Sequence, residues 1–82
     1  MKHLPSSTEL TRLDSLLAAL DHTGDSELLH EHLQSARTYL LDAMSLEYSM
    51  SLDFARHAAH NVHDDALRHE MDEGIASLIA IQ

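Results

Sequence analysis

Histidine dominates the chemically capable residues of this 82-residue chain, with eight at His3, His22, His30, His32, His57, His60, His63 and His69. Neutral imidazoles one helical turn apart ligate Zn²⁺, Ni²⁺ or Cu²⁺, and carboxylates can complete such a shell. Asp53, His57, His60 and Asp64 fall within about 60° of one another on any helix that runs through all four, which makes them the candidate metal set. Their stripe lies opposite the apolar positions Tyr48, Leu52, Ala55 and Ala59. An exposed site follows, one that takes Zn or Ni adventitiously, and no resident cofactor is expected. Glu27-x-x-His30 has the spacing of a di-iron ligand pair, but those centres need two such pairs and further glutamates facing the core. No second Glu-x-x-His occurs here.

The histidines also allow a pH response. Adding eight protons to a net charge of −9 leaves −1, so acidification through the ordinary imidazole range removes most of the repulsion between molecules. Lower solubility or altered association is expected below about pH 6.

Other catalytic constellations are missing from the sequence. There is no cysteine, so thiol nucleophiles, thiolate metal sites and disulfides are excluded. Neither a Gly-rich phosphate loop nor a G-x-S-x-G elbow is present. A chain this short has little room for a closed substrate pocket of a few hundred Å³. The expectation is a protein that is not an enzyme.

Charge narrows the partners. Five Lys and Arg stand against 14 Asp and Glu, leaving no basic footprint with which to neutralise nucleic-acid phosphates. An anionic membrane surface would repel the chain, and no apolar run approaches the ~20 residues of a spanning helix. Met1-Lys2-His3-Leu4-Pro5 leads into polar residues and not into the apolar run of a secretory signal, so a cytoplasmic location is expected. Partners with basic or apolar surfaces are favoured, and acidity also supports solubility.

The elements that must position these residues are helices. Ser6-Ser7-Thr8-Glu9 has the form of a capping box, and Leu10, Leu13, Leu16, Leu17 and Leu20 follow at helical spacing. Gly24 is a natural helix terminator, near which His22 would meet the negative end of the dipole. Asp25 or Ser26 can cap a second helix with inward Leu29, Leu33, Ala36, Leu40, Ala43 and Met44, and outward Glu27, Glu31, Gln34, Ser35, Thr38 and Asp42. A third stripe holds Tyr48, Leu52, Ala55, Ala59 and Val62, and a fourth holds Leu67, Met71, Ile75 and Leu78. Asn61 can close the third helix, and Asp64 can cap the fourth. Gly74 lies inside the fourth stripe, where it either permits close helix approach or is merely tolerated.

No Gly or Pro separates Asp25 from Val62, so one helix of ~57 Å, closed by dimerisation, is the alternative to two. Ser45 before Leu46-Glu47 is a plausible N-cap and favours a break near Met44–Leu46. The expected architecture is therefore all-α, a single domain over 1–82 forming a small antiparallel bundle of about four helices at 7–22, 26–44, 46–61 and 64–80.

Surplus apolar residues point to an interface. Ile79 and Ile81 flank the main stripe of the last helix, while Met50 and Phe54 sit at the edge of the third. Met50, Phe54, Ile79 and Ile81 are the candidate interaction residues. The stretch Ala43-Met-Ser-Leu-Glu-Tyr48 leading to Ala55-Arg56 resembles the turn and helix of small helical-hairpin chaperones for type III secretion needle subunits. No functional residue is carried over from that resemblance. The leading expectation is a protein-interaction module acting as a small inhibitor, chaperone or assembly factor, possible also as a homodimer. A histidine-rich metal-binding or pH-responsive helical protein is the alternative.

Overall fold

The computed structural model describes residues 7–20 and 27–81, with the side chain of Ser7 excepted. Four helices run α1 (Ser7–Leu20), α2 (Glu27–Leu41), α3 (Ser45–Ala59) and α4 (Asp65–Ile81). Each packs on its two neighbours, α1 on α2 and α4, α3 on α2 and α4. Of these four neighbouring pairs, α2/α3 is the most extensively packed and α1/α4 the least. The fold is a small all-α four-helix bundle, as the four apolar stripes require.

The stripes account for the core. Leu29, Leu33, Ala36 and Leu40 of α2 meet Tyr48, Leu52, Ala55, Ala58 and Ala59 of α3, with Val62, Met71, Ile75 and Leu78 beyond. In α1 the buried line is Leu13, Leu16 and Leu20, while Leu10 and Leu17 pack half-buried at its edges. The outward residues of α2, from Glu27 to Asp42, are exposed. Ser6, Asp21, His22, Gly24, Asp25 and Ser26, on which the first caps were placed, lie outside the described residues.

Two helices, not one long helix, occupy 27–59. Ala43 takes a left-handed conformation at φ 58, the Met44 N–H donates to Tyr39 O at 2.9 Å, and the Ala43 N–H donates to Leu40 O at 3.2 Å. This paired closure is a Schellman motif, which satisfies the orphan carbonyls at the end of α2. Ala43 and Met44 are consequently exposed and do not extend the inward stripe of α2. Ser45 is the first helical residue and not the cap; Met44 holds that position without any side-chain hydrogen bond. The break itself was expected near Met44–Leu46, but nothing in the sequence flagged Ala43 as the left-handed residue, because such residues are usually glycine or asparagine. Ala43→Gly is therefore expected to stabilise the protein by about 0.5–1 kcal/mol, since an L-residue costs ~1–2 kcal/mol in this region and glycine's extra unfolded-state freedom offsets part of that. Urea unfolding measures it, and a lower midpoint for the variant would contradict it.

The second reversal is tighter. His60, and not Asn61, caps α3, and its end is closed by i→i+3 bonds from His60, Asn61 and Val62. Asp64 then caps α4 as expected, its Oδ1 accepting the Leu67 N–H at 3.0 Å. Arg68 secures the turn by donating to Val62 O at 3.0 Å and pairing with Asp65.

Gly74 faces α1. An added Cβ would lie 2.8 Å from Leu16 Cδ2 and 3.2 Å from Cδ1, so alanine here requires the tip of the Leu16 side chain to shift. Alanine ordinarily gains about 1 kcal/mol over glycine within a helix. Here that gain should be cancelled by displacement of Leu16, and Gly74→Ala should unfold at no higher urea concentration than the parent.

Candidate functional surface

In an up-down bundle the start of α1, the end of α2, the start of α3 and the end of α4 share one end. At that end lies a hollow of about 550 Å³, lined among others by Glu9, Tyr39, Met44, Leu46, Tyr48 and Ile81. The positions follow from the reversal at Ala43, which turns Met44 and Leu46 outward over the end of the bundle. Leu41, Met44, Leu46 and Ile81 are all exposed there, Leu46 to 69%.

The floor of the hollow is polar. Glu9 is only 2% exposed, and the Tyr48 hydroxyl donates to its Oε2 at 3.2 Å. Burial of Tyr48, with the adjacent Glu9 carboxylate adding to it, pushes the phenol pKa well above its ordinary value of 10.0. The tyrosine thus remains a hydrogen-bond donor throughout the neutral range. The sequence offered Glu9 as the far member of a capping box. A better signal was its place one turn before Leu13, on the side of α1 that faces the core.

From the hollow an apolar ridge runs along α3. Leu46, Met50 and Phe54 recur every four residues, on successive turns, and Met50 and Phe54 are about half exposed. The Phe54 ring stacks on His32 of α2, with centroids 5.5 Å apart and planes at 25°. Leu28, one turn before His32, is exposed as well. Three candidate interaction residues, Met50, Phe54 and Ile81, are therefore on the surface. Ile79 is half-buried and packed against the core. Leu28, Leu41, Met44 and Leu46 are the surface residues that the stripes did not single out.

The candidate metal residues do not all share one helix. Asp53, His57, His60 and Asp64 are all exposed, but α3 ends at Ala59 and Asp64 lies past the turn with its carboxylate engaged as a helix cap. The shared face that would have gathered the four does not form. Among the described residues no group of three or more His, Asp or Glu is arranged to hold a metal ion. Glu27 and His30 both lie at the start of α2, and Glu27 is exposed.

The arginines are committed elsewhere. Arg37 Nε meets Asp14 of α1 at 2.8 Å, Arg56 Nε lies 3.7 Å from Asp72 of α4, and Arg68 pairs within α4. Arg12 lines the groove between α1 and α4. Such exposed pairs contribute well under ~1 kcal/mol each, but they fix where positive charge lies.

No helix among the described residues is long and apolar enough to cross a membrane. Compared with known proteins, the chain matches no family model, no curated protein and no solved structure.

Proposed function

We propose that this chain is a non-enzymatic protein-interaction module, an acidic helical bundle that works by binding another protein through a basic or apolar surface. Inhibition, chaperoning and assembly are the roles such a module performs. The observation that carries the reading is the run of exposed apolar side chains from Ile81, Met44 and Leu46 through Met50 to Phe54. Scattered surface hydrophobics need no explanation, but residues repeating on successive turns beside an apolar-rimmed hollow form a continuous patch. Folding does not demand this exposure, because the core is already filled by the inward stripes.

Affinity capture from the native cell lysate, with light scattering of the purified product, tests the proposal. A stoichiometric complex with another protein, or a stable dimer of this chain, is expected. A monomer that enriches no protein over a bait-free control would overturn it.

A further inference from the structure

We propose that the occupant of the α3 ridge is a basic amphipathic helix of a partner protein, docked along Leu46, Met50 and Phe54. The proposal rests on the interaction reading above and names its partner. Apolar anchors on successive turns match the i, i+4, i+7 spacing by which a docked helix presents its own apolar face. The ridge runs over Leu46–Phe54, eight steps or ~12 Å of helix, enough for three anchors on each side.

Charge identifies the sign of the partner. Glu47 follows Leu46 and Asp53 precedes Phe54, which places one acid about 100° to either side of the ridge on α3, and Glu31 is exposed next to His32 on α2. Every described arginine is placed away from it: Arg37 toward α1, Arg56 toward α4, Arg68 at the α3/α4 turn and Arg12 in the α1/α4 groove. A second copy would bring these same carboxylates face to face in a two-fold interface, an arrangement that like-charge repulsion disfavours. Lysines and arginines bordering an apolar stripe complement the ridge and speed encounter with a chain of net charge −9.

The test uses the whole chain and a labelled synthetic peptide of about 18 residues, with leucines on one helical face and lysines on its borders. Fluorescence anisotropy should show binding with a dissociation constant of tens of micromolar, weakened as salt rises. Met50→Gln/Phe54→Gln should weaken it about tenfold or more, the scale of losing central apolar anchors. Glu31→Gln/Glu47→Gln/Asp53→Asn should weaken it several-fold and flatten the salt dependence. Circular dichroism confirms that both variants keep the parent fold.

Equal binding of a scrambled peptide of the same composition would overturn the proposal, as would equal binding of a glutamate-bordered peptide. Absence of binding would overturn it too. If the chain instead self-associates and Met50→Gln/Phe54→Gln makes it monomeric, the basic helix is wrong and the interaction reading stands. If no peptide, lysate protein or second copy binds, both are overturned.

Discussion

Leu52→Ala is expected to lower the unfolding free energy by about 2–5 kcal/mol, the range for emptying a leucine site that cannot collapse. Leu52 is wholly buried on α3, between the α2 and α4 neighbours of that helix. Its surroundings offer little to fill the gap. Ala55 and Ala59 lie on the same face, and the only buried aromatic side chain among the described residues is Tyr48. A domain of this length has roughly 4–12 kcal/mol of stability in total, so one such loss is a large fraction. Urea unfolding followed by circular dichroism should show an earlier midpoint with an unchanged slope. A change below 0.5 kcal/mol, about that of an ordinary surface substitution, would mean that the core is not packed as described.

The second large effect concerns the polar floor of the hollow. Tyr48→Phe keeps the ring but deletes the hydroxyl that donates to Glu9, leaving a buried carboxylate one donor poorer. The expected loss is about 1–3 kcal/mol, the usual cost of removing one partner of a buried polar group. The double variant Tyr48→Phe/Glu9→Met should recover part of this loss, because two apolar groups replace two polar ones. The parent should also lose stability in alkali. A phenol whose folded pKa is raised above 10.0 binds its proton more tightly when folded, so the contribution is intact below pH 10 and declines as pH rises above it. The slope approaches about 1.4 kcal/mol per pH unit. Tyr48→Phe should abolish that part of the alkaline decline, and an identical pH profile in parent and variant would contradict the burial of a protonated Tyr48.

Periodicity made most of this fold readable. The α3 stripe from Tyr48 to Val62 is buried at each of the five positions read from spacing, and α2 keeps Leu29, Leu33, Ala36 and Leu40. What escaped was local and depended on backbone conformation. An alanine in the left-handed region carries no sequence signature, so the end of α2 was drawn three residues late, at Met44 instead of Leu41. That single error hid the exposure of Met44 and drew attention from Leu46. The second role of Glu9 escaped for a different reason: a carboxylate near a helix start reads as a cap, and only tertiary packing reveals the tyrosine across the bundle.

The candidate surface was partly legible. Met50 and Phe54 were read at the edge of the α3 stripe as surplus apolar residues, and both are exposed. Ile79 is less exposed than Met50, Phe54 and Ile81, because a residue flanking a stripe is covered according to how neighbouring helices wrap it, which spacing does not encode. The grouping of Asp53, His57, His60 and Asp64 assumed a helix continuing to Asp64, whereas α3 ends at Ala59. One histidine gained a role instead: His32 meets Phe54 across the hairpin, a contact between positions 22 residues apart that no local pattern displays.

The central claim is that the exposed apolar ridge exists for contact and not for folding. Its most direct test compares what the parent and Met50→Gln/Phe54→Gln capture from native lysate, quantified by mass spectrometry. The account predicts at least about a tenfold loss of the captured partner, the scale expected for central anchors, with the unfolding free energy changed by no more than ~0.5 kcal/mol. Recovery of the same partner in the same amount by parent and variant would contradict it.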